Sequence, residues 1–543
     1  MRSPHSLLPL PALLAAAVAT LFAQTGQAPL PRIVQRDSRY ALLVDGAPYL
    51  VLGAQVNNSS AWPAMLPKVW PAIEYIQANT VEIPVYWEQF EPEPDRFDYS
   101  TVDMLLSQAR EHHVRLVLLW FGTWKNGSSH YMPLWMKRDP QRYPRLIGAN
   151  GRRVDSPSPH AAATLAADKH ALAGLMRHLK ASDSRRTVIM VQVENEAGAY
   201  GSVRDYSAEA QKSFAGPVPP ELLAALHKAA SPTASWSAVF GADADEFFHA
   251  WSVAHFVGQV AAAGKAEYAL PLYANAALRD PLKPGPPSTY ESGGPTDNVI
   301  PIWKAAAPAL DLLAPDIYQI DPARYLRALE LYSRADNPLF VPETGNLPAG
   351  ARFFFAALGH GAIGYAPFGI DYTGFSNAPL GAARMNEESL APFALNYKLI
   401  GPMMREIASL NFEGKLQTAI EDNGEKEKHS QTLEFGPWKA VVSYGLPQFG
   451  PGNNPKGNAE PVGRALIAQL ADNQFLAAGF FCRVDFQMID AASGKQREFL
   501  RVDEGGYQGG AFKAIRIWSG DQTDWGLNFS SAPQVLRVTL GTY

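Results

Sequence analysis

Apolar and polar positions along this chain come in blocks. Short apolar runs, many rich in β-branched residues, occur at 49–55, 79–85, 114–120, 187–193, 269–275, 312–317, 338–342 and 362–366. Runs of that length read as strands buried on both faces, the habit of a parallel sheet. Between them lie amphipathic stretches. Leu165, Leu172, Leu175, Met176 and Leu179 share one helical face, with Lys169, Arg177 and Lys180 elsewhere,. Tyr325, Leu326, Leu329 and Leu331 repeat the pattern in 322–334. Eight strands separated by helices predict a (β/α)8 TIM barrel, placed at 38–410.

Other segments frame that barrel. Arg39–Val44, then Asp45-Gly46, then Tyr49–Leu52 is a hairpin signal whose second arm runs into the first barrel strand,. The largest insertion, Gly201 to about Asp245, follows the fourth strand and is expected to overhang the active face. An apolar helix around Phe393, Leu395, Leu399 and Ile400 ends near Leu410, and the texture then changes. Runs such as Lys439–Tyr444 alternate with Gly, Pro and Asn turns, Gln448 to Gly457 is a loop, and 512–518 and 534–540 are strand-like. The expectation for 411–543 is an all-β sandwich. The fold class is α/β: a barrel followed by this sandwich.

Composition narrows the function. A chain of 543 residues at 47% hydrophobic is too long for one ordinary domain,. Its net charge of −5 is dispersed with no basic block, so no nucleic-acid partner is expected. Leu7 to Ala19 is almost wholly apolar after Arg2 and His5, and Ala17-Val18-Ala19 resembles a cleavage site,. Residues 1–28 read as an export signal, cleaved between Ala19 and Ala28, and predict a periplasmic or secreted protein. No later run reaches the ~18 apolar residues of a spanning helix, so the mature chain is expected to have no membrane span. The single Cys482, in an apolar run, reads as a buried hydrophobe,.

The chemistry sits where apolar runs stop. Val188-Ile-Met-Val-Gln-Val-Glu-Asn-Glu196 ends abruptly in polar side chains, and Pro338-Leu-Phe-Val-Pro-Glu343-Thr-Gly345 has the same form. The C-terminal ends of barrel strands carry the active site. Glutamates there on strands four and seven suggest the carboxylate pair of a glycoside hydrolase, Glu196 with a raised pKa and Glu343 with a low one. Asn195 is placed to hydrogen-bond a sugar hydroxyl, and Glu194 should project differently by alternation. Tyr86 and Glu88 end strand two, and Trp124, Lys125 and Asn126 follow strand three. Asn275 ends strand five, Tyr318 follows strand six, and Phe368 and Asp371 follow strand eight. All are candidate sugar contacts by position, with Trp124 a stacking face.

Other chemistries find little support. His112-His113 lies at the face opposite the chemistry, and neither His-x-His nor His-Glu-x-x-His occurs, so no metal is expected,. Gly505-Gly506 and Gly509-Gly510 lack the strand–helix context of a nucleotide loop and read as β turns, so no cofactor is expected,. No Gly-x-Ser-x-Gly elbow appears,.

Val-Gln-Val-Glu-Asn-Glu196 resembles the acid/base signature of family 35 glycoside hydrolases, the retaining β-galactosidases of the clan with paired glutamates on barrels (clan A). Asn79-Thr80-Val81, Tyr86 to Pro92 and Arg96 to Tyr99 resemble that family's second strand and following loop. The resemblance covers roughly 38–410 and fits best a bacterial subgroup with a distinct C-terminal β domain. It implies Glu196 as general acid/base, Glu343 as nucleophile, and an exo-β-galactosidase acting on plant oligosaccharides or polymer side chains such as xyloglucan. Two departures stand out. Ala197-Gly198-Ala199-Tyr200 follows the acid where a tyrosine is usual, and Trp120 to Gly127 lacks the usual glutamate. The alternatives are another retaining β-glycosidase of the clan, endo-acting or for a different sugar, and a non-catalytic carbohydrate-binding barrel.

Overall fold

A computed structural model describes residues 28–422, 429–445, 455–490 and 494–543. All but Ala28 of the expected export signal, and most of the loop read at 448–457, lie outside the described residues.

Eight parallel strands close a barrel in chain order: β1 Val51–Gln55, β2 Thr80–Tyr86, β3 Arg115–Lys125, β4 Val188–Asn195, β5 Leu272–Ala277, β6 Leu312–Ile317, β7 Val341–Thr344 and β8 Gly364–Pro367. Every residue of β2 and β4 is buried, as strands walled by side chains inside and helices outside must be,. Each expected run lies at one of these strands. The main difference is β3, which continues to Lys125 through a shift in its pairing with β4 between Trp120 and Lys125.

Helices cover the outside. α1 Ala162–Ser182 buries Leu172, Leu175, Met176 and Leu179. α2 Ala244–Glu267 packs on it and is buried nearly all round. Gly258 lets α2 approach α3, Ile300–Ala306, and the residue after it, since a Cβ there would lie 2.7 Å from the Cα of Ala307. The 201–245 insertion is tied to the segment after β3: Ile147 N donates to Asp205 Oδ1 and Tyr206 N to Ile147 O.

The C-terminal part is two antiparallel sheets. One orders Leu416–Ile420, Arg464–Ala471, Gln474–Phe480, Val535–Thr542, Arg497–Gln508 and Ala511–Ile517; the other orders Ser430–Phe435, Trp438–Tyr444, Cys482–Met488 and Leu527–Phe529. Between them lie Phe435, Trp438, Phe475, Phe486 and Phe529. The sandwich is seated on the barrel: Thr418 Oγ1 donates to Phe355 O, and Arg464 Nε to Asn396 Oδ1 while its guanidinium lies over Phe480. Cys482 is buried, and burial pushes its thiol up to about 12. Gly505 and Gly506 do not form a turn. They sit inside strand Arg497–Gln508 beside a pairing irregularity, and the turn is Gly509-Gly510 alone. His112 closes helix Ser100–Glu111, where it bonds Glu74 and stacks on Trp70.

Candidate active site

β4 delivers its acid through a strained strand end. Glu194 and Glu196 both take left-handed backbone, φ +64° and +46°, on either side of Asn195. Such backbone in a glutamate costs about 1–3 kcal/mol and persists where surrounding structure enforces it. Here Glu196 N donates to Asn275 Oδ1 at 3.0 Å and Glu196 O accepts from Gly127 N at 2.9 Å. Gly127 is itself left-handed at φ +65°, and a Cβ there would strike the Glu291 carboxylate.

The reversal sends neighbouring side chains apart. Glu194 turns toward α1, where its Oε2 accepts from Trp124 N at 2.7 Å beside Asp168. Asp168 in turn accepts from Trp120 Nε1 and from Thr123. Burial raises both carboxyls, and their mutual repulsion raises Glu194 further. The pair therefore fastens β3 and stands behind the site. Asn195 Oδ1 accepts from Lys125 Nζ at 2.8 Å, and Asn195 Nδ2 finds no partner among the described residues. Lys125 Nζ also donates to Asn126 Oδ1 at 2.5 Å.

β7 delivers Glu343 into the same space. Its Oε1 accepts from the Tyr318 hydroxyl at 2.5 Å and its Oε2 from Gln55 Nε2 at 2.8 Å. Asp316 pairs with Glu343 across β6 and β7, and parallel partners point the same way,. Glu196, Asp316 and Glu343 each bring a carboxylate oxygen within 4.8 Å of the others. That spacing is also one a divalent cation can span. Glu196 is part-buried, and burial, then Glu343, raise its pKa to about 7 against the opposing pull of Lys125. Burial also holds Asp316 and Glu291 well above the carboxylate range.

A protonated carboxyl facing a hydrogen-bonded one, at this spacing, can donate a proton to a leaving oxygen while the other attacks the carbon behind it. Beside them opens a cavity of about 610 Å³ lined by Asn57, Asn58, Lys125, Asn126, Tyr131 and Phe375, among others. It touches the carboxylate cluster through Lys125. Its size falls within the roughly 300–1,000 Å³ of small-molecule sites.

The expected residues divide. Glu196, Glu343, Asn195, Lys125 and Tyr318 converge, and Asn126 lines the cavity. Five do not act as expected. Trp124 is a packing residue, 1% exposed, with its indole edge-on to Phe256 and Nε1 donating to Ser156. Its ring packs against α2, so it offers no sugar-stacking face. Tyr86 is equally buried, stacked on Tyr131 and accepting from Ala61 N. Glu88 lies on a helical turn and pairs with Lys137. Phe368 is buried beside β1. Asp371 accepts from Asn57, Ser60 and Thr373, lacing two loops into the cavity wall instead of reaching into it. Replacing Trp124 by alanine is expected to cost about 3–5 kcal/mol of stability, read as a lower urea midpoint; an unchanged midpoint would contradict the packing role.

Gln55, Asp316 and Glu291 were not foreseen as site residues. Gln55 and Asp316 end or nearly end apolar runs as Glu343 does, which was the available signal. Glu291 lies in a loop, and nothing local marks it.

Residues 67–252 match the family model of glycoside hydrolase family 42, described as β-galactosidase, and residues 393–530 match a domain of unknown function, DUF5597. No curated protein matches the chain. Similar solved structures include a β-galactosidase from Bacillus circulans sp. alkalophilus (14% identity, 66% of this chain and 57% of that one, TM-score 0.47). Another is a family 42 β-galactosidase from G. stearothermophilus (15%, 67% and 58%, TM-score 0.47). A third is an exo-β-1,4-mannosidase from Opitutaceae bacterium strain TAV5 (15%, 70% and 62%, TM-score 0.41). The chain spans about three fifths of the length of these enzymes. Family 42, not family 35, is thus the family whose model the barrel resembles; a strand-four Asn-Glu motif and a strand-seven glutamate are clan features and do not separate the two. The barrel segment 67–252 is thus similar to the β-galactosidase model of glycoside hydrolase family 42, on a (β/α)8 barrel that brings two strand-end glutamates together.

Proposed function

We propose that this protein is an exported retaining exo-β-glycosidase that removes terminal β-galactosyl residues from plant-derived oligosaccharides or polymer side chains by double displacement. The observation that carries this is the close approach of Glu196 and Glu343, oxygens within 4.8 Å. Retaining enzymes hold their carboxyls about 5–5.5 Å apart, whereas inverting ones leave roughly 6.5–9.5 Å for a water. In the first step Glu196 protonates the leaving oxygen and Glu343, held by Tyr318 and Gln55, attacks the anomeric carbon. In the second, Glu196 takes a proton from water, which displaces Glu343. The unpaired Asn195 Nδ2 is a donor for a sugar hydroxyl, and Lys125, with two of its three donors used, can supply another,.

The segment Trp120 to Gly127, which holds Lys125, lacks the glutamate motif of the family 35 pattern, so the sugar is the part to test first. Purified protein should release p-nitrophenol fastest from the β-D-galactopyranoside in a panel of aryl β-glycosides. Faster release from another β-glycoside would replace galactose and keep the two-step chemistry. Binding without turnover across the panel would favour a carbohydrate-binding barrel.

A further inference from the structure

Asp316 belongs to the acid cluster but has no part in the two-carboxyl chemistry above. Its Oδ2 accepts from Asn275 Nδ2 at 2.5 Å, and the same amide's Oδ1 accepts from Glu196 N. Asn275 therefore clamps Asp316 to the backbone of Glu196. The other oxygen, Oδ1, is buried and meets no donor among the described residues. A carboxylate oxygen of Asp316 also lies within 4.8 Å of one from Glu196 and one from Glu343. Two acceptors brought together without a donor leave a buried polar atom unsatisfied, and one proton between them removes that cost.

We propose that Asp316 is a positioning residue that stays a neutral acid and donates a hydrogen bond to Glu196, holding the acid/base in place and stabilising its carboxylate. This rests on the proposed glycosidase reading. When Glu196 passes its proton to the leaving oxygen, the Asp316 O–H stabilises the new carboxylate. When Glu196 takes a proton from water in the second step, the bond persists. The Asp316 proton never leaves, and none is gained or lost overall. Asp316 faces Glu196, Glu343 and Lys125, with Tyr200, Tyr273, Tyr318 and Tyr332 around it. Those phenols are all held above their ordinary range by burial, and the cation that opposes both Glu196 and Asp316 is Lys125. Burial, then Glu343 and Glu196, push the Asp316 carboxyl well above the usual carboxylate range, in the direction the geometry requires.

The test compares Asp316→Asn with Asp316→Ala. The amide of Asp316→Asn keeps both a donor for Glu196 and an acceptor for Asn275, so the alkaline fall of kcat/KM should stay at the parent's pH. Asp316→Ala loses the donor. Its rate should drop roughly 10- to 100-fold, and its alkaline fall should move to higher pH because the Glu196 carboxylate has lost a stabilising bond. Were Asp316 ionised instead, Asp316→Asn would remove a negative charge and move that fall to lower pH, overturning the proposal. Parent-like behaviour of Asp316→Ala would overturn it equally. Infrared difference spectra of parent minus Asp316→Asn at pH 7 read the same proton without turnover: a lost carboxylic-acid C=O band is expected, and a lost carboxylate band would refute the idea. A protein silent on every glycoside would end the glycosidase reading and leave this readout intact.

Discussion

Glu343→Ala should lower turnover of an aryl β-galactoside by on the order of 10⁴–10⁶-fold, the scale seen when a covalent nucleophile is removed. The alanine leaves a space beside Tyr318 and Gln55, whose donors then face no carboxylate. Added azide can enter that space and attack the anomeric carbon while Glu196 still protonates the leaving group. Partial rescue is expected, with the azide product of inverted anomeric configuration read by NMR. A 2-fluoroglycoside should label Glu343 in the parent. A variant that keeps its rate, or an azide product of retained configuration, would remove Glu343 from the nucleophile role.

Glu196→Gln should cost roughly 10²–10⁴-fold, the usual contribution of general acid–base assistance. The loss should be smallest in the first step for a good leaving group such as p-nitrophenolate, which departs without a proton, and largest for a sugar leaving group. The pH dependence has a definite sign. Glu196 must hold its proton to act as acid, and burial with Glu343 raises its pKa to about 7. The parent's kcat/KM should therefore fall above about pH 7, and the variant should lack that fall.

The same residue makes a stability prediction. Its folded pKa lies above the unfolded value, so its stabilising contribution is present below about pH 4.5 and is lost as pH rises through 7. At pH 8 Glu196→Gln should be more stable than the parent by on the order of 2–3 kcal/mol, and at pH 4 the two should melt together. Equal melting at both pH values would show that Glu196 titrates as an ordinary surface carboxyl.

Much of this protein was legible in the residues. Eight apolar runs with helices between them specify a barrel, because burial on both faces leaves a strand no polar alternation to show. An apolar strand that ends in Glu196 or Glu343 places a carboxylate at the barrel's C-terminal face, because the strand itself delivers it there. Alternation does not part Glu194 from Glu196, since residues two apart share a strand face; the left-handed backbone at both does, turning Glu194 toward Asp168 and α1.

Tertiary structure decided the rest. Trp124, Tyr86 and Asp371 stand at strand ends in the sequence, yet packing and hydrogen bonding consume their side chains. Position along a strand does not say whether a side chain meets the barrel mouth or a neighbouring element. Gln55, Asp316 and Glu343 come from three different strands, and only closure of the barrel brings them together. The protonation of the cluster follows from the same closure. A carboxyl's pKa depends on what surrounds it in space, and the neighbours that matter to Glu196 are Glu343, Lys125 and Asp316, all distant in sequence,.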